Sequence, residues 1–342
     1  MLAAAYTGSG TISRLDVPEA PPSPGEVQIE VAYVGLCGTD LHILHGNMDA
    51  RVTMPAIIGH EMSGRIAALG DGVEGWQVGA SVTVMPLAWD NTCPACTAGN
   101  QHICQNLNFI GIDSPGALQR RWNVPADVLV EVPDTLALTH AALVEPVAVA
   151  VHDVRRSDLT AGDRAVVIGA GPIGTLIAAV AREFGADVLV IEVDAARREA
   201  VAELGFRTLD PLAEDQVSAV DTWTDGAGAD VVFEVSGAAA AVLGATALAK
   251  VRGTIVVVAI HPEPRPLDLQ RVFWRELRIL GARVYQRTDF EKAVELLAAG
   301  TIPAEQLITA VRPLADTQAA FDSLRSTGAM KVLVDVQSGG DQ

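Results

Sequence analysis

Three things are scarce in this chain, and each scarcity excludes a class of function. No apolar run reaches the ~18 residues that a membrane-spanning helix needs, and the first residues lack the basic start and apolar core of a secretory signal. Cations are few: 24 Lys and Arg stand against 42 Asp and Glu, for a formal net charge of -18. Such a charge repels nucleic acid and anionic lipid surfaces. We therefore expect a cytoplasmic protein with no nucleic-acid or membrane partner.

Cysteine is also scarce, but its copies are not scattered. Cys37 stands alone, whereas Cys93, Cys96 and Cys104 share one short segment. In a large chain without a secretory signal, this clustering favours metal binding over disulfides. The length of 342 residues exceeds the size at which one core stops growing, so two domains are expected.

Two sequence patterns divide the chain. Up to about residue 130, short Val-rich alternating runs such as 26–31 and 81–84 are broken by Gly and Pro, which is typical of an all-β unit. From Asp163 onward, apolar runs of strand length alternate with helical stretches, which predicts a parallel sheet with helices on both faces. The predicted fold class is α/β: a β-rich domain plus a doubly wound parallel-sheet domain.

A glycine-rich motif at the start of the second pattern predicts a dinucleotide site. Gly169, Gly171 and Gly174 follow a strand and open a helix, where glycines allow a tight turn, close approach of a pyrophosphate and close helix packing. Glu192 ends the next strand, where an acid can bind ribose hydroxyls and repel a 2′-phosphate. NAD is thus favoured, and Arg197 and Arg198 keep NADP possible. The alternative is a glycine loop that only caps a helix.

A second motif predicts a catalytic metal. Cys37 and His60 supply a thiolate and an imidazole, and either Glu61 or Glu145 supplies a carboxylate, the donor mix of a zinc site with an open position. Asp40 is placed to orient His60. Simpler interpretations stay open: Cys37 as a small buried hydrophobe, and the nearby Thr39 and His42 as a turn hydroxyl and a surface imidazole.

These motifs together resemble one family. The segments 37–42, 59–64 and 169–174, with Glu145-Pro146 and the 233–237 segment, are similar to those of zinc-dependent medium-chain alcohol dehydrogenases. The resemblance implies a GroES-like catalytic domain over residues 1–150, a Rossmann NAD-binding domain over 151–283, and a segment 284–342 that completes the catalytic domain. It also implies a homodimer or homotetramer.

The resemblance assigns roles to individual residues. It implies that Cys37 and His60 bind catalytic Zn2+, that Glu61 and Glu145 bind it directly or through water, and that a proton relay starts at Thr39 and runs toward His42. The cofactor-contacting positions it implies are Gly169, Gly171, Ile173, Gly174, Glu192, Arg197, Ser236, Ala259, Ile260 and Val284.

A lobe at about residues 88–106 departs from the family pattern. Many members have four cysteines there, whereas this chain has Asp90, Cys93, Cys96 and Cys104 in the same register. An aspartate oxygen is an acceptable zinc ligand, so we expect an occupied structural Zn2+ site. The alternatives are that His102 substitutes for the missing cysteine, or that the lobe has lost its metal.

The substrate expectation comes from Glu145. A glutamate there resembles the branch that oxidises polyols, butanediol and threonine, so we expect hydride transfer between NAD(H) and a secondary alcohol of a polyol, cyclitol, sugar or vicinal diol. Sorbitol itself is not predicted, because Arg283 stands one place before the family's arginine position, now Val284, and would face away if the segment is extended. The alternatives are a zinc-independent reductase of enones or quinones, and a non-catalytic nicotinamide-binding protein.

Overall fold

The computed structural model describes residues 1–324 and 328–338. Its strands are mostly short, and the longest is the Val-rich run that starts at Glu26. The strands are β1 (Leu2–Tyr6), β2 (Ile12–Asp16), β3 (Glu26–Gly35), β4 (Glu61–Leu69), β5 (Ser81–Val84), β6 (Leu87–Ala88), β7 (Asn108–Phe109), β8 (Arg121–Pro125), β9 (Leu129–Glu131), β10 (Arg164–Ile168), β11 (Asp187–Ile191), β12 (Arg207–Leu209), β13 (Ala229–Glu234), β14 (Ala249–Val257), β15 (Arg278–Gly281), β16 (Ile308–Pro313) and β17 (Lys331–Asp335).

The helices are concentrated after residue 140, as the change of pattern predicts. They are α1 (Gly38–Leu44), α2 (Pro94–Thr97), α3 (Leu138–Ala141), α4 (Val144–Arg156), α5 (Pro172–Glu183), α6 (Ala195–Glu203), α7 (Gln216–Trp223), α8 (Ala239–Leu248), α9 (Leu269–Arg275), α10 (Arg287–Ala298), α11 (Ala304–Leu307) and α12 (Thr317–Leu324). None of the helices in the described ranges is long and apolar enough to cross a membrane.

The first compact unit holds the β-rich part of the chain. It comprises Met1–Glu145, Gln286–Gly300 and Ala304–Gln342. Its main sheet has the strand order β16-β17-β3-β4-β5-β9, and β8 pairs with β3 outside this path. The central strand β3 has antiparallel partners on both sides, β17 and β4. The C-terminal strand β17 is therefore an interior strand of a sheet that the N-terminal half begins.

The second unit, Pro146–Tyr285 with Thr301–Pro303, contains a six-stranded parallel sheet. Its order is β12-β11-β10-β13-β14-β15, so the strand order reverses between β10 and β13. This is the doubly wound arrangement predicted from the sequence, in which ligands bind beyond the carboxyl ends of the strands at the reversal. The strands β10 and β13 are buried along nearly their whole length, as apolar runs covered on both faces should be.

The two units divide at positions slightly different from the predicted domain boundaries at residues 150 and 283. The division falls at Glu145 and Tyr285, and α4 continues through residue 150 without a break. Near the second division, β15 ends at Gly281 and Val284 has φ 50°, which is the left-handed region. The segment is not extended there, so the strict alternation of faces assumed for Arg283 and Val284 does not apply.

Candidate metal centre and dinucleotide site

The register of three neighbouring strands builds the metal-ligand cluster of the first unit. β3 ends at Gly35 and β4 begins at Glu61, and these two residues are direct partners. β17 begins at Lys331 and pairs its Leu333 with the same Gly35. Residues that are hundreds of positions apart in sequence therefore meet at one end of the sheet. A side chain at Gly35 would collide with the Glu61 carboxylate, so glycine leaves room for that acid.

Cys37 is the N-cap of α1, and the cap also fixes its neighbours. Its Sγ accepts a hydrogen bond from the backbone N–H of Thr39 at 3.4 Å, and its own N–H donates to Asp40 Oδ2 at 2.9 Å. Asp40 is fully buried, and its other oxygen lies 3.6 Å from His60 Nδ1. Asp40 therefore lies next to His60, as the predicted orienting role requires, although these two atoms are farther apart than in a hydrogen bond.

Ligand atoms of Cys37, His60 and Glu61 all lie within 4.8 Å of one another. Burial lowers the pKa of His60, but the charge of Asp40, the contact with Cys37 and the charge of Glu145 outweigh it, so that the pKa is raised well above its usual value. Anionic groups that hold a proton on an imidazole are the same groups that attract a cation. The donor set and its charge therefore fit a zinc ion.

Lys331 is the member of this site that the sequence analysis missed. Its Nζ donates to both oxygens of Glu61, at 2.6 and 2.8 Å, and lies 3.3 Å from the carbonyl oxygen of Leu36. Lys331 and Glu61 are 3% and 1% exposed, so this ion pair is almost completely shielded from water. One signal pointed to it: the chain has only three lysines, and this one opens strand β17 directly before the apolar run 332–334.

The remaining predicted catalytic residues lie at different distances from this cluster. Glu145 is 5% exposed in the first turn of α4 and its charge acts on His60, but it is not one of the three residues whose ligand atoms are grouped within 4.8 Å. Thr39 is half-buried beside the Cys37 cap. His42 is exposed one turn further along α1, with its Nδ1 3.4 Å from Asn47 Nδ2.

The lobe between β6 and β7 brings its four predicted ligands together. Ligand atoms of Asp90, Cys93, Cys96 and Cys104 lie within 4.8 Å of one another, and His102 is not in this group. Asp90 is held in place: its Oδ1 accepts hydrogen bonds from the N–H groups of Thr92 and Cys93, and its Oδ2 accepts one from Asn106 Nδ2 at 2.6 Å. These bonds hold the pKa of Asp90 well below its usual range, so it stays anionic.

The thiols of the lobe differ in how easily they lose a proton. N–H groups of Gln105 and Cys96 donate to Cys93 Sγ and lower the pKa of Cys93, whereas burial and the adjacent thiols raise the pKa of Cys96 to about 12. Cys93 Sγ lies 3.8 Å from Cys104 Sγ, and the cysteines are free. Three cysteine sulfurs and an anionic carboxylate with their ligand atoms within 4.8 Å of one another form a donor set that also fits zinc, which would bind the cysteines as thiolates.

The glycine motif of the second unit has the predicted geometry. Gly169 has φ 108° and packs against Ser236, so that an added Cβ would lie 3.2 Å from the Ser236 backbone. At Gly174 a side chain would collide with the Gly169 carbonyl oxygen, whereas a Cβ at Gly171 would meet nothing within 4 Å. Gly171 caps α5 without a side-chain hydrogen bond, and Ile173 follows in the first turn. The open space and helix N-terminus fit a pyrophosphate.

Glu192 lies directly beside this loop. Its Oε2 accepts a hydrogen bond from Ala170 N–H at 2.6 Å and its Oε1 accepts one from Asp194 N–H at 2.9 Å, so the acid also shapes the loop. Arg198 pairs with Asp210, and Arg197 is partly exposed on α6. Beyond β14, Ala259 is half-buried and Ile260 is 79% exposed.

Comparison with known proteins gives consistent matches over almost the whole chain. Residues 23–134 match the alcohol dehydrogenase GroES-like domain family, and residues 172–299 match the zinc-binding dehydrogenase family. A 2-dehydro-3-deoxy-L-galactonate 5-dehydrogenase of Pseudoalteromonas atlantica is 51% identical over 336 residues, covering 98% of each chain. An (R,R)-butanediol dehydrogenase of Neisseria gonorrhoeae is 34% identical, covering 90% of this chain and 91% of that protein.

A solved structure agrees with these relatives. A zinc-binding dehydrogenase of Sinorhizobium meliloti 1021, solved bound to NADP, superposes with a TM-score of 0.92 at 33% identity, covering 98% of each chain. The predicted fold class, a GroES-like domain plus a doubly wound parallel sheet, is therefore confirmed.

Proposed function

Because the chain belongs to the zinc-dependent medium-chain alcohol dehydrogenases, we propose that it oxidises a secondary hydroxyl of a 2-dehydro-3-deoxy sugar acid with a nicotinamide cofactor. The observation that carries the substrate class is the 51% identity, over 98% of both chains, to a dehydrogenase of 2-dehydro-3-deoxy-L-galactonate. Such an acid is a polyhydroxylated alcohol, so it falls within the polar substrate class expected from the carboxylate-containing metal site.

The roles of the metal-site residues follow from their contacts. We propose that Cys37, His60 and Glu61 hold the catalytic zinc, with Glu145 beside it. Zinc in such a site acts as a Lewis acid on the substrate oxygen. Asp40 lies 3.6 Å from His60 Nδ1, where it would orient the ring, and Lys331 holds the Glu61 carboxylate in place by contacting both of its oxygens.

We propose that the proton released from the hydroxyl passes along α1. Thr39 stands two residues after Cys37, and its N–H donates to Cys37 Sγ, so its backbone lies beside the metal site. His42 is exposed on the same helix, where it can pass a proton to water.

The structural lobe has a separate role in this proposal. Asp90, Cys93, Cys96 and Cys104 form a closed set of four donors, which leaves no open position for substrate. A zinc ion there would stabilise the lobe without taking part in the reaction. Two zinc ions per chain, measured by metal analysis, would support this assignment, and one would overturn it.

The cofactor proposal rests on Glu192 and Arg197. The Glu192 carboxylate stands next to the glycine loop, where it would repel a 2′-phosphate, so we propose NAD as the preferred cofactor. The partly exposed Arg197 on the adjacent helix leaves NADP as the alternative. Steady-state kinetics with both cofactors decide between them.

The substrate test is a panel measured with NAD and NADP in parallel. It contains 2-dehydro-3-deoxy-L-galactonate; galactonate, which keeps the carboxylate but carries hydroxyls at carbons 2 and 3; sorbitol; and 2,3-butanediol. We expect kcat/KM for the first to exceed the values for sorbitol and butanediol by at least ~100-fold, about 3 kcal/mol of transition-state discrimination. A higher kcat/KM for a simple diol or polyol would overturn the sugar-acid proposal.

The metal test separates this mechanism from a zinc-independent reduction. Cys37→Ala or His60→Ala should abolish alcohol oxidation while NADH binding, measured by its fluorescence, survives. Full activity in these variants after chelation would contradict the zinc mechanism. Failure of the wild type to oxidise any alcohol in the panel would favour a non-catalytic nicotinamide-binding protein.

The second unit also carries a group of exposed apolar side chains on α9. Leu269, Phe273 and Trp274 of α9 are 69%, 73% and 72% exposed, and β15 is an edge strand of the parallel sheet. Exposed large apolar groups of this kind mark interaction surfaces. We propose a homo-oligomer formed through this face in the cytoplasm. Light scattering should show a dimer or tetramer for the wild type and a monomer for Phe273→Asp; a monomeric wild type would contradict it.

A further inference from the structure

A buried carboxylate of the second unit, Glu234, has no part in the proposed chemistry, yet it contacts several segments at the cofactor end of the sheet. It is the last residue of β13, which stands beside β10 where the strand order reverses. Glu234 is 1% exposed. A carboxylate in such a position needs hydrogen-bond donors to offset the loss of water.

One Glu234 oxygen organises the loop that follows β13. Its Oε1 accepts hydrogen bonds from Ser236 N–H at 3.0 Å, Ser236 Oγ at 2.7 Å and Gly237 N–H at 2.9 Å. Ser236 in turn packs against Gly169, the first glycine of the dinucleotide motif. Glu234 therefore shapes the side of the crevice that faces the glycine loop.

The other oxygen reaches the next loop along the sheet. His261 Nε2 lies 3.1 Å from Glu234 Oε2, and because a carboxylate only accepts, we assign the proton to Nε2. The Glu234 carbonyl oxygen also accepts from the N–H groups of Val258 and Ala259. Glu234 thus holds the start of the β14–α9 loop through its carbonyl oxygen, and it holds His261, further along the same loop, through its side chain.

After His261 the loop runs along a cavity. Residues 262–265 and Leu267 line a cavity of about 470 Å³, whose far wall includes Val242 of α8 and Ile255 of β14. The Arg265–Glu263 ion pair, at 3.8 Å, is internal to the loop. The contact between His261 and Glu234 is therefore a largely buried polar contact that ties this loop to the sheet.

We infer that Glu234 and His261 are positioning residues for the cofactor: their bond locks the β14–α9 loop to the Ser236 loop, so that both sides of the crevice are preformed before the dinucleotide binds. Ligands of doubly wound sheets bind where these loops lie, beyond the carboxyl ends at the reversal. Preformed loops bind more tightly because less ordering is required on binding. The inference rests on the proposed function, since it requires a nicotinamide dinucleotide in this crevice.

The test compares three variants of the full-length protein. His261→Ala removes the bond, and His261→Gln keeps a donor able to reach Glu234. Glu263→Ala is a matched control in the same loop, because Glu263 is 76% exposed and its ion pair is with Arg265 of the same loop. The dissociation constant of NADH is measured by its fluorescence, together with the KM for each substrate and kcat.

We expect His261→Ala to raise both the dissociation constant of NADH and the KM for NAD about tenfold. The kcat at saturating cofactor and the KM for the alcohol should change less than about twofold. His261→Gln should recover most of the affinity, and Glu263→Ala should match the wild type. A purely structural role would lower the thermal midpoint without this split between the two KM values. Unchanged NADH affinity in His261→Ala overturns the inference alone, whereas a wild type that binds no dinucleotide overturns the proposed function as well.

Discussion

Replacing Lys331 by methionine should destabilise the first unit strongly. Methionine keeps most of the side-chain volume but removes the charge, and so leaves the Glu61 carboxylate without the group that contacts both of its oxygens at 2.6 and 2.8 Å. Both partners are almost fully buried. Breaking a buried ion pair by removing one partner typically costs about 3–5 kcal/mol. For a unit of this size, we expect the unfolding midpoint to fall by roughly 6–20 °C.

The assay is thermal unfolding followed by circular dichroism, with and without a chelator. The loss should be largest with the chelator, because a bound zinc ion would itself neutralise Glu61. The double variant Glu61→Gln/Lys331→Met removes both charges and should recover most of the lost stability. Lys292→Met is the matched control, since Lys292 forms only an exposed ion pair with Glu295 and should change stability by less than about 1 kcal/mol. An unchanged midpoint for Lys331→Met in chelator would refute the reasoning.

Three further outcomes are expected. Asp90→Ala should lower the zinc content from about two ions to about one per chain and lower the unfolding midpoint, whereas Asp90→Cys should keep both ions. A zinc content of Asp90→Ala equal to that of the wild type would show that the Asp90 carboxylate is not a ligand. Glu192→Ala should weaken NADH binding about tenfold, because Ala170 N–H loses its acceptor, and should narrow the preference for NADH over NADPH; an unchanged preference would count against the role of Glu192. Asp230→Asn should reduce stability at neutral pH by about 1–2 kcal/mol. Burial raises the pKa of Asp230, but Lys250 and the N–H of Arg164 outweigh burial, so that the folded pKa is lowered. The stabilisation by Asp230 is therefore present above the unfolded pKa of about 4 and is lost as pH falls through the lower folded pKa. A stability deficit of Asp230→Asn that persists unchanged at pH 2 would contradict this prediction.

Local motifs allowed the chemistry to be predicted from sequence. The glycine spacing from Gly169 to Gly174 predicted a helix N-terminus after a strand, and the structure has β10, a turn and α5 there. The predicted family and its oxidoreductase activity on alcohols are confirmed by the relatives. The residue roles at both metal sites remain predictions.

The sequence alone thus determined the motifs whose function depends on neighbours a few positions away: the glycine turn and the spaced thiols of the lobe. Only the tertiary structure decided which distant groups meet, because sheet register brings together residues with no short-range relation in sequence. Lys331 lies against Glu61 since β17 and β4 both pair with β3, and no local pattern around residue 331 encodes that pairing. In the same way, the contact of His261 with Glu234 depends on β13 and β14 being neighbours in a parallel sheet.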